Sequence, residues 1–146
     1  MSPIDAAILR RKMQHIAVCL DHLRPIGRLA PSEYAAANRL LERKAAERLL
    51  QQAIEAALDI NAHMIAELGG DLPADYYGGF VAMGRLGAIE VELAAELAPS
   101  AGLRNRLVHE YEGIDDDKVH SAIETILRLY PRYVSAIDAY LTRHAL

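Results

Sequence analysis

Glu47-Arg48-Leu49-Leu50-Gln51-Gln52-Ala53-Ile54-Glu55-Ala56-Ala57-Leu58-Asp59-Ile60-Asn61-Ala62-His63-Met64-Ile65-Ala66-Glu67-Leu68 runs without a proline or glycine, and its spacing decides the fold. Leu50, Ile54, Ala57, Leu58, Ile65 and Leu68 form one helical stripe, while Leu49, Ala53, Ile60 and Met64 form a second beside it. An apolar surface that wide must be covered by several neighbours, so this is the central helix of a bundle. Composition agrees, with 52% hydrophobic residues, one Phe, no Trp and no strand-like runs of Val, Ile and Thr. The expected fold class is all-α.

Outward from that segment, the helix should begin near Ser32, kink around Arg43, and exit through a left-handed Gly69-Gly70. Before it, Ser2-Pro3-Ile4-Asp5 reads as an N-cap, a first-turn proline and an acidic N3 residue. Leu9, Met13, Ile16, Leu20 and Leu23 then recur on one face, giving a helix from about Pro3 to Arg24 that Pro25 and Gly27 should break. After it, Pro73 opens a helix to about Leu86, Gly87 interrupts, and Glu90 to Leu97 continues as a short segment. Pro99 sits as the first-turn proline of a helix to about Tyr111. Last come Val119, Ile123, Ile126, Tyr130, Val134, Ile137 and Leu141, one face of a final helix that Pro131 should bend without ending. The whole, residues 1–146, is expected to be a single helical domain of about five helices with no interdomain linker.

The lone Cys19 excludes an internal disulfide, and no apolar run approaches the roughly 18 residues of a membrane span. With no leader-like start either, the expectation is a cytoplasmic protein with no membrane partner. Sixteen Lys and Arg against twenty Asp and Glu leave a net charge of −4, which argues against broad non-specific nucleic-acid binding. Net charge does not describe a cleft, however, and positive charge gathers locally at Arg104 and Arg106.

Those arginines belong to the one segment that looks built for chemistry: Arg104-Asn105-Arg106-Leu107-Val108-His109-Glu110-Tyr111. An arginine offers a fixed cationic fork for phosphate, and a histidine exchanges a proton near neutral pH. Together they are a minimal kit for phosphodiester cleavage that needs no metal and no cofactor. On an ideal helix Arg104 and Tyr111 lie within about 20° of each other, whereas Arg104 and His109 are about 140° apart. Either the helix loosens near His109 or two chains assemble the site across a two-fold axis.

Arg-Asn-x-x-x-His-x-Tyr, followed by a short acidic turn and a last helix, resembles the HEPN ribonuclease toxins of the HepT type. The likeness extends through Glu47 to Ile54, Asp59-Ile60, Leu72-Pro73 and Ile114-Asp115, so that roughly residues 35–142 look like that family. The resemblance implies an RNA-cleaving toxin that forms a homodimer through its motif helices, and it allows for a larger hetero-oligomer built on that dimer. It also implies a partner, a nucleotidyltransferase antitoxin of the MntA type, that adenylylates the motif tyrosine, here Tyr111.

In that frame His109 is expected to act as general acid or base while the RNA 2′-hydroxyl attacks phosphorus, and Arg104 to stabilise the non-bridging oxygens. Asn105 would orient His109 one turn away, and Arg106 would contact the RNA backbone. AMP on Tyr111 would bring bulk and negative charge to where an RNA phosphate docks. The structural alternative has Arg104 paired with Glu92 or Glu96, His109 as a helix-end histidine, and Tyr111 simply packed. A rival function is a non-catalytic helical subunit that presents substrate for a nucleotidyltransferase.

Other residues read as structural. His15 and His22, seven apart on the first helix, read as surface decoration and not as a metal site, and His63, His120 and His144 stand alone at the surface or the core edge. Asp115-Asp116-Asp117 suits an N-cap and first turn better than a cation. Gly69-Gly70 and Gly78-Gly79 lack phosphate-loop spacing, and Cys19 falls in the apolar pattern of the first helix. Glu42, Arg43, Lys44, Glu47 and Arg48 read as a solvated face of mixed charge.

Overall fold

The computed structural model describes residues 4–109 and 112–146, and among these every regular element is helical. In order they are α1 (Ala6–Gly27), a four-residue α2 (Pro31–Tyr34), a 3-10 turn (Ala37–Arg39), α3 (Leu40–Glu67), α4 (Tyr76–Arg85), α5 (Val91–Leu97), α6 (Ser100–His109) and α7 (Asp116–Arg143). The all-α expectation holds. α3 is the hub: α1, α4, α6 and α7 all pack on it, while α5 bridges α4 and α7. Both predicted stripes of α3 face inward; only Leu49 and Leu68 stop at partial burial, and Ala46, Ala56 and Asn61 widen the buried surface.

Helix starts and stops show where local signals were outweighed. α1 is capped by Asp5, whose side chain accepts from the Ile8 N–H, so the helix begins later than Pro3; Ser2 and Pro3 lie outside the described residues. It also runs past Pro25 to Gly27. A proline in the final turn removes one backbone bond from a helix about to end, which is a small loss. Gly27 is there for closeness, since a Cβ would stand 3.0 Å from Leu127 Cδ1 and 3.1 Å from Ile123 Cγ2 of α7. Similarly, the third helix starts at Tyr76 under an Asp75 cap and not at Pro73. α7 runs unbroken through Pro131, opened by Asp115 accepting from the N–H groups of Asp117 and Lys118. Gly69 and Gly87 hold the positive φ values of 75° and 78° that end α3 and part α4 from α5.

The expected single helix from Ser32 to Leu68 is divided, and Arg43 is the reason. Far from lying on a solvated face, Arg43 is only 9% exposed. Its Nη1 donates to the carbonyls of Tyr34 (2.8 Å) and Ala36 (2.6 Å), and its Nε lies 3.5 Å from Asp116 of α7. The guanidinium thus satisfies carbonyls freed by the break between α2 and α3, and Tyr34 folds in beside the His120 ring. Arg43→Met should therefore lower unfolding free energy by about 2–3 kcal/mol in urea titration, with Arg43→Lys recovering only part.

The core extends from Leu9 to Leu141 as one hydrophobic cluster, with Cys19 inside it. On α7 the buried face is wider than the predicted stripe, because Leu129, Tyr133 and Tyr140 join it. Tyr133 is fully buried, and its hydroxyl lies 2.6 Å from Asn61 Oδ1 and 3.2 Å from the Ala57 carbonyl of α3. Tyr130 likewise shares a 2.8 Å hydrogen bond with Ser100 of α6. Burial pushes the phenol pKa of both tyrosines well up. A folded-state pKa raised above the unfolded value near 10 gives stability that is whole below that pH and lost above it. Unfolding free energy should thus be insensitive to these tyrosines up to about pH 10 and fall beyond it, with tyrosinate absorbance rising in step with unfolding.

Candidate active site

α6 carries the motif. Ser100 opens it, with the Pro99 carbonyl accepting from Leu103, and Leu103 and Leu107 anchor it against the core. Those anchors leave Arg104 half-buried and Asn105, Arg106 and His109 exposed. Tyr111, the expected adenylylation site, lies outside the described residues.

Arg104 is held on three sides. Its Nε lies 3.3 Å from Glu55 Oε1 of α3, its Nη1 donates to Asn105 Oδ1 at 3.3 Å, and its guanidinium carbon stands 5.5 Å from the centre of the Tyr76 ring. Glu55 is itself steadied by Gln51, whose Nε2 donates at 3.0 Å. The carboxylate that pairs with Arg104 is thus Glu55, not Glu92 or Glu96; Glu96 faces Arg128 and Arg132 of α7. Glu55 was not singled out in the sequence, where it is one acid among several on α3. Its signal is its position on the polar seam of an otherwise apolar helix.

The Arg104 to Asn105 hydrogen bond changes how the motif works in a single chain. Asn105 reaches to Arg104, and not to His109 as expected. Yet Asn105 and His109 stand only about 40° apart around the helix, so Asn105 lies between the guanidinium and the imidazole stripe. His109 ends the described part of α6 and is exposed, and Arg106 borders a groove lined by Ile114 before α7 and Lys118 on it.

Beside Asn105 the surface opens into a cavity of about 670 Å³ between α3, the 70–75 connection, the start of α4 and α6. Its walls include Leu58, Tyr76, Tyr77, Gly102 and Asn105, with Asn61 lining it as well. Among the described residues no three His, Cys, Asp or Glu side chains form a metal-binding group, and no helix is long and apolar enough to cross a membrane. The other histidines have local roles: His63 accepts from the Asp5 N–H, His120 Nε2 meets the Leu29 carbonyl at 2.7 Å, and His144 stacks on Tyr140.

A family profile described as Ribonuclease HepT-like matches residues 16–137. Over 141 residues, 97% of this chain and 95% of the relative, the sequence is 37% identical to the tRNA nuclease HepT of Aphanizomenon flos-aquae. The fold superposes on the cytosolic protein YutE of Bacillus subtilis with a TM-score of 0.81 at 17% identity, covering 99% of this chain and 95% of that one. It also superposes on the tri-AMPylated HEPN toxin of Shewanella oneidensis, solved in complex with its MNT antitoxin, with a TM-score of 0.77 at 23% identity. That likeness covers 90% of this chain and 97% of the toxin.

Because the Glu55 carboxylate and the Arg104 guanidinium are both partly solvated, their pairing places the arginine more than it stabilises the fold. Glu55→Gln should change the free energy of unfolding by less than about 1 kcal/mol in a denaturant titration.

Proposed function

The chain belongs to the HepT-like ribonuclease family, and from that premise we propose that it is a metal-independent endoribonuclease toxin working through Arg104 and His109. The observation that carries this reading is the placement of Arg104. A guanidinium fixed by Glu55, Asn105 and the Tyr76 ring at the edge of a cavity keeps donors directed outward, where a phosphate can exchange with the carboxylate. Transfer RNA is the substrate class suggested by the curated relative.

In the proposed reaction the ribose 2′-hydroxyl loses its proton to an imidazole and its oxygen attacks the adjacent phosphorus. The bond to the 5′-oxygen breaks, that oxygen takes up a proton, and the products are a 2′,3′-cyclic phosphate and a 5′-hydroxyl. Arg104 binds the non-bridging oxygens as charge builds on them. The attacking 2′-oxygen and the leaving 5′-oxygen lie on opposite sides of the phosphorus, out of reach of one imidazole, so a homodimer that turns two α6 helices toward each other would supply His109 twice, once as base and once as acid. Arg106 then contacts the flanking backbone.

Control is assigned to the same sequence motif. We assign Tyr111, two residues past His109, as the site where an MntA-type nucleotidyltransferase attaches AMP, in keeping with the AMPylated and antitoxin-bound state of the Shewanella toxin. An adenylyl group there would add bulk and negative charge two residues from His109 in the motif and repel RNA.

The test is end-mapped cleavage of cellular RNA in chelator by protein that mass spectrometry shows to be unmodified. The expected result is cyclic-phosphate ends that disappear with His109→Ala and fall by about a hundredfold or more with Arg104→Ala. Dependence on added Mg²⁺ would overturn the mechanism. Absence of cleavage by unmodified wild-type protein would favour the substrate-presenting subunit instead.

A further inference from the structure

The cavity beside Asn105 has a polar group at its floor that the fold leaves without a partner. Asn61 is 2% exposed, and its Nδ2 has no hydrogen-bond partner among the described residues. The other end of the amide is engaged, because Oδ1 faces the Tyr133 hydroxyl at 2.6 Å. That spacing is typical of O–H···O and short for N–H···O, so the amide oxygen belongs on the Tyr133 side and the NH₂ is left on the other. A buried amide N–H without an acceptor is costly, and such groups in proteins are usually matched by a ligand or water.

What surrounds Asn61 restricts the ligand. The walls are largely apolar, at Leu58, Ala62 and Ile65, and two tyrosines, Tyr76 and Tyr77, stand half exposed at the α4 side. Among the described residues no lysine or arginine lines the cavity, and the one carboxylate in its lining, Asp75, is taken up by the Gly78 N–H at 2.7 Å. A phosphate has no counter-charge inside, whereas a flat, neutral heterocycle finds ring faces, apolar walls and a single donor. The volume of about 670 Å³ is ample for such a group. The cation stands just outside: Tyr76 forms part of the wall and also lies under the Arg104 guanidinium.

We propose that this cavity is the nucleobase pocket of the ribonuclease, receiving an unstacked base of the RNA whose phosphate meets Arg104. The base stacks on Tyr76 or Tyr77, and a small shift of the wall that uncovers Asn61 Nδ2, closed to solvent in this structure, lets a carbonyl oxygen or an unprotonated ring nitrogen of the base accept from it. Asn105 then touches both parts of the nucleotide, since it lines the cavity and binds Arg104. Cleavage position is thereby set by which base enters. This assignment rests on the ribonuclease reading for its substrate, but base binding can be measured without turnover.

The first measurement follows the side-chain amide signals of Asn61 in ¹⁵N-labelled full-length protein as the four nucleoside 5′-monophosphates, and separately ribose 5-phosphate, are added. The expected result is a shift with at least one base-bearing nucleotide and none with ribose 5-phosphate. Asn61→Asp, which keeps the acceptor for Tyr133 and removes the donor, and Ala62→Phe, which fills the cavity from an exposed helical position, should each weaken that nucleotide by about tenfold. In RNA cleavage, Ala62→Phe should redistribute the cut sites, whereas His109→Ala removes all of them. No shift with any nucleotide, or an equal shift with ribose 5-phosphate, overturns the pocket even where the protein cleaves RNA. Base-dependent shifts in a protein that cleaves nothing would keep the pocket and overturn the nuclease reading.

Discussion

The structure depends on covering α3 around most of its circumference. A 28-residue helix whose buried positions include Leu50, Ala53, Ile54, Ala57, Ile60, Met64 and Ile65 cannot be satisfied by one neighbour. α1, α4, α6 and α7 share the task, and α6 acquires its orientation from it. Leu103 and Leu107 fix the roll of α6 on the core, which leaves Arg104 on the side where Glu55 breaks the apolar surface of α3. The site is therefore a product of the core: the helix that must be buried also supplies the carboxylate that aims the arginine.

Much of this was legible in the sequence because it is local or periodic. The stripes of α3 and α7, the acidic cap of α7, the left-handed glycine at 69 and the interruption at Gly87 all act within one helix or turn, where spacing along the chain is spacing in space. What was not legible depends on distant partners. Nothing near Arg43 announces that its guanidinium will close the gap at Tyr34 and Ala36, so the break between α2 and α3 could not be placed. Pro25 and Gly27 look like helix breakers until α7 is present to explain why a helix end with no side chain is useful there.

The candidate site divides in the same way. Arg104, Asn105, Arg106 and His109 come from a contiguous motif and sit on one helix, so the sequence could identify them together. Glu55, Tyr76 and Asn61 reach the same surface from 49, 28 and 43 residues before Arg104, respectively, and only tertiary packing shows that they matter. Asn61 is the clearest case, a polar residue inside an apolar face whose partner, Tyr133, lies 72 positions downstream.

The pairing of Arg104 with Glu55 also bears on how the protein responds to ionic strength. Cations on a nucleic-acid-binding surface ordinarily displace condensed counterions from RNA, and that release makes association steeply salt-dependent. Arg104, however, already carries a tethered anion, and if an RNA phosphate takes its place as proposed, the freed carboxylate stays attached to the chain. It would then draw a mobile cation back from solution, which offsets part of what the phosphate gives up. Association at this centre would consequently be less sensitive to salt than the number of arginines suggests, and a chain of net charge −4 could hold a polyanion without a broadly basic surface.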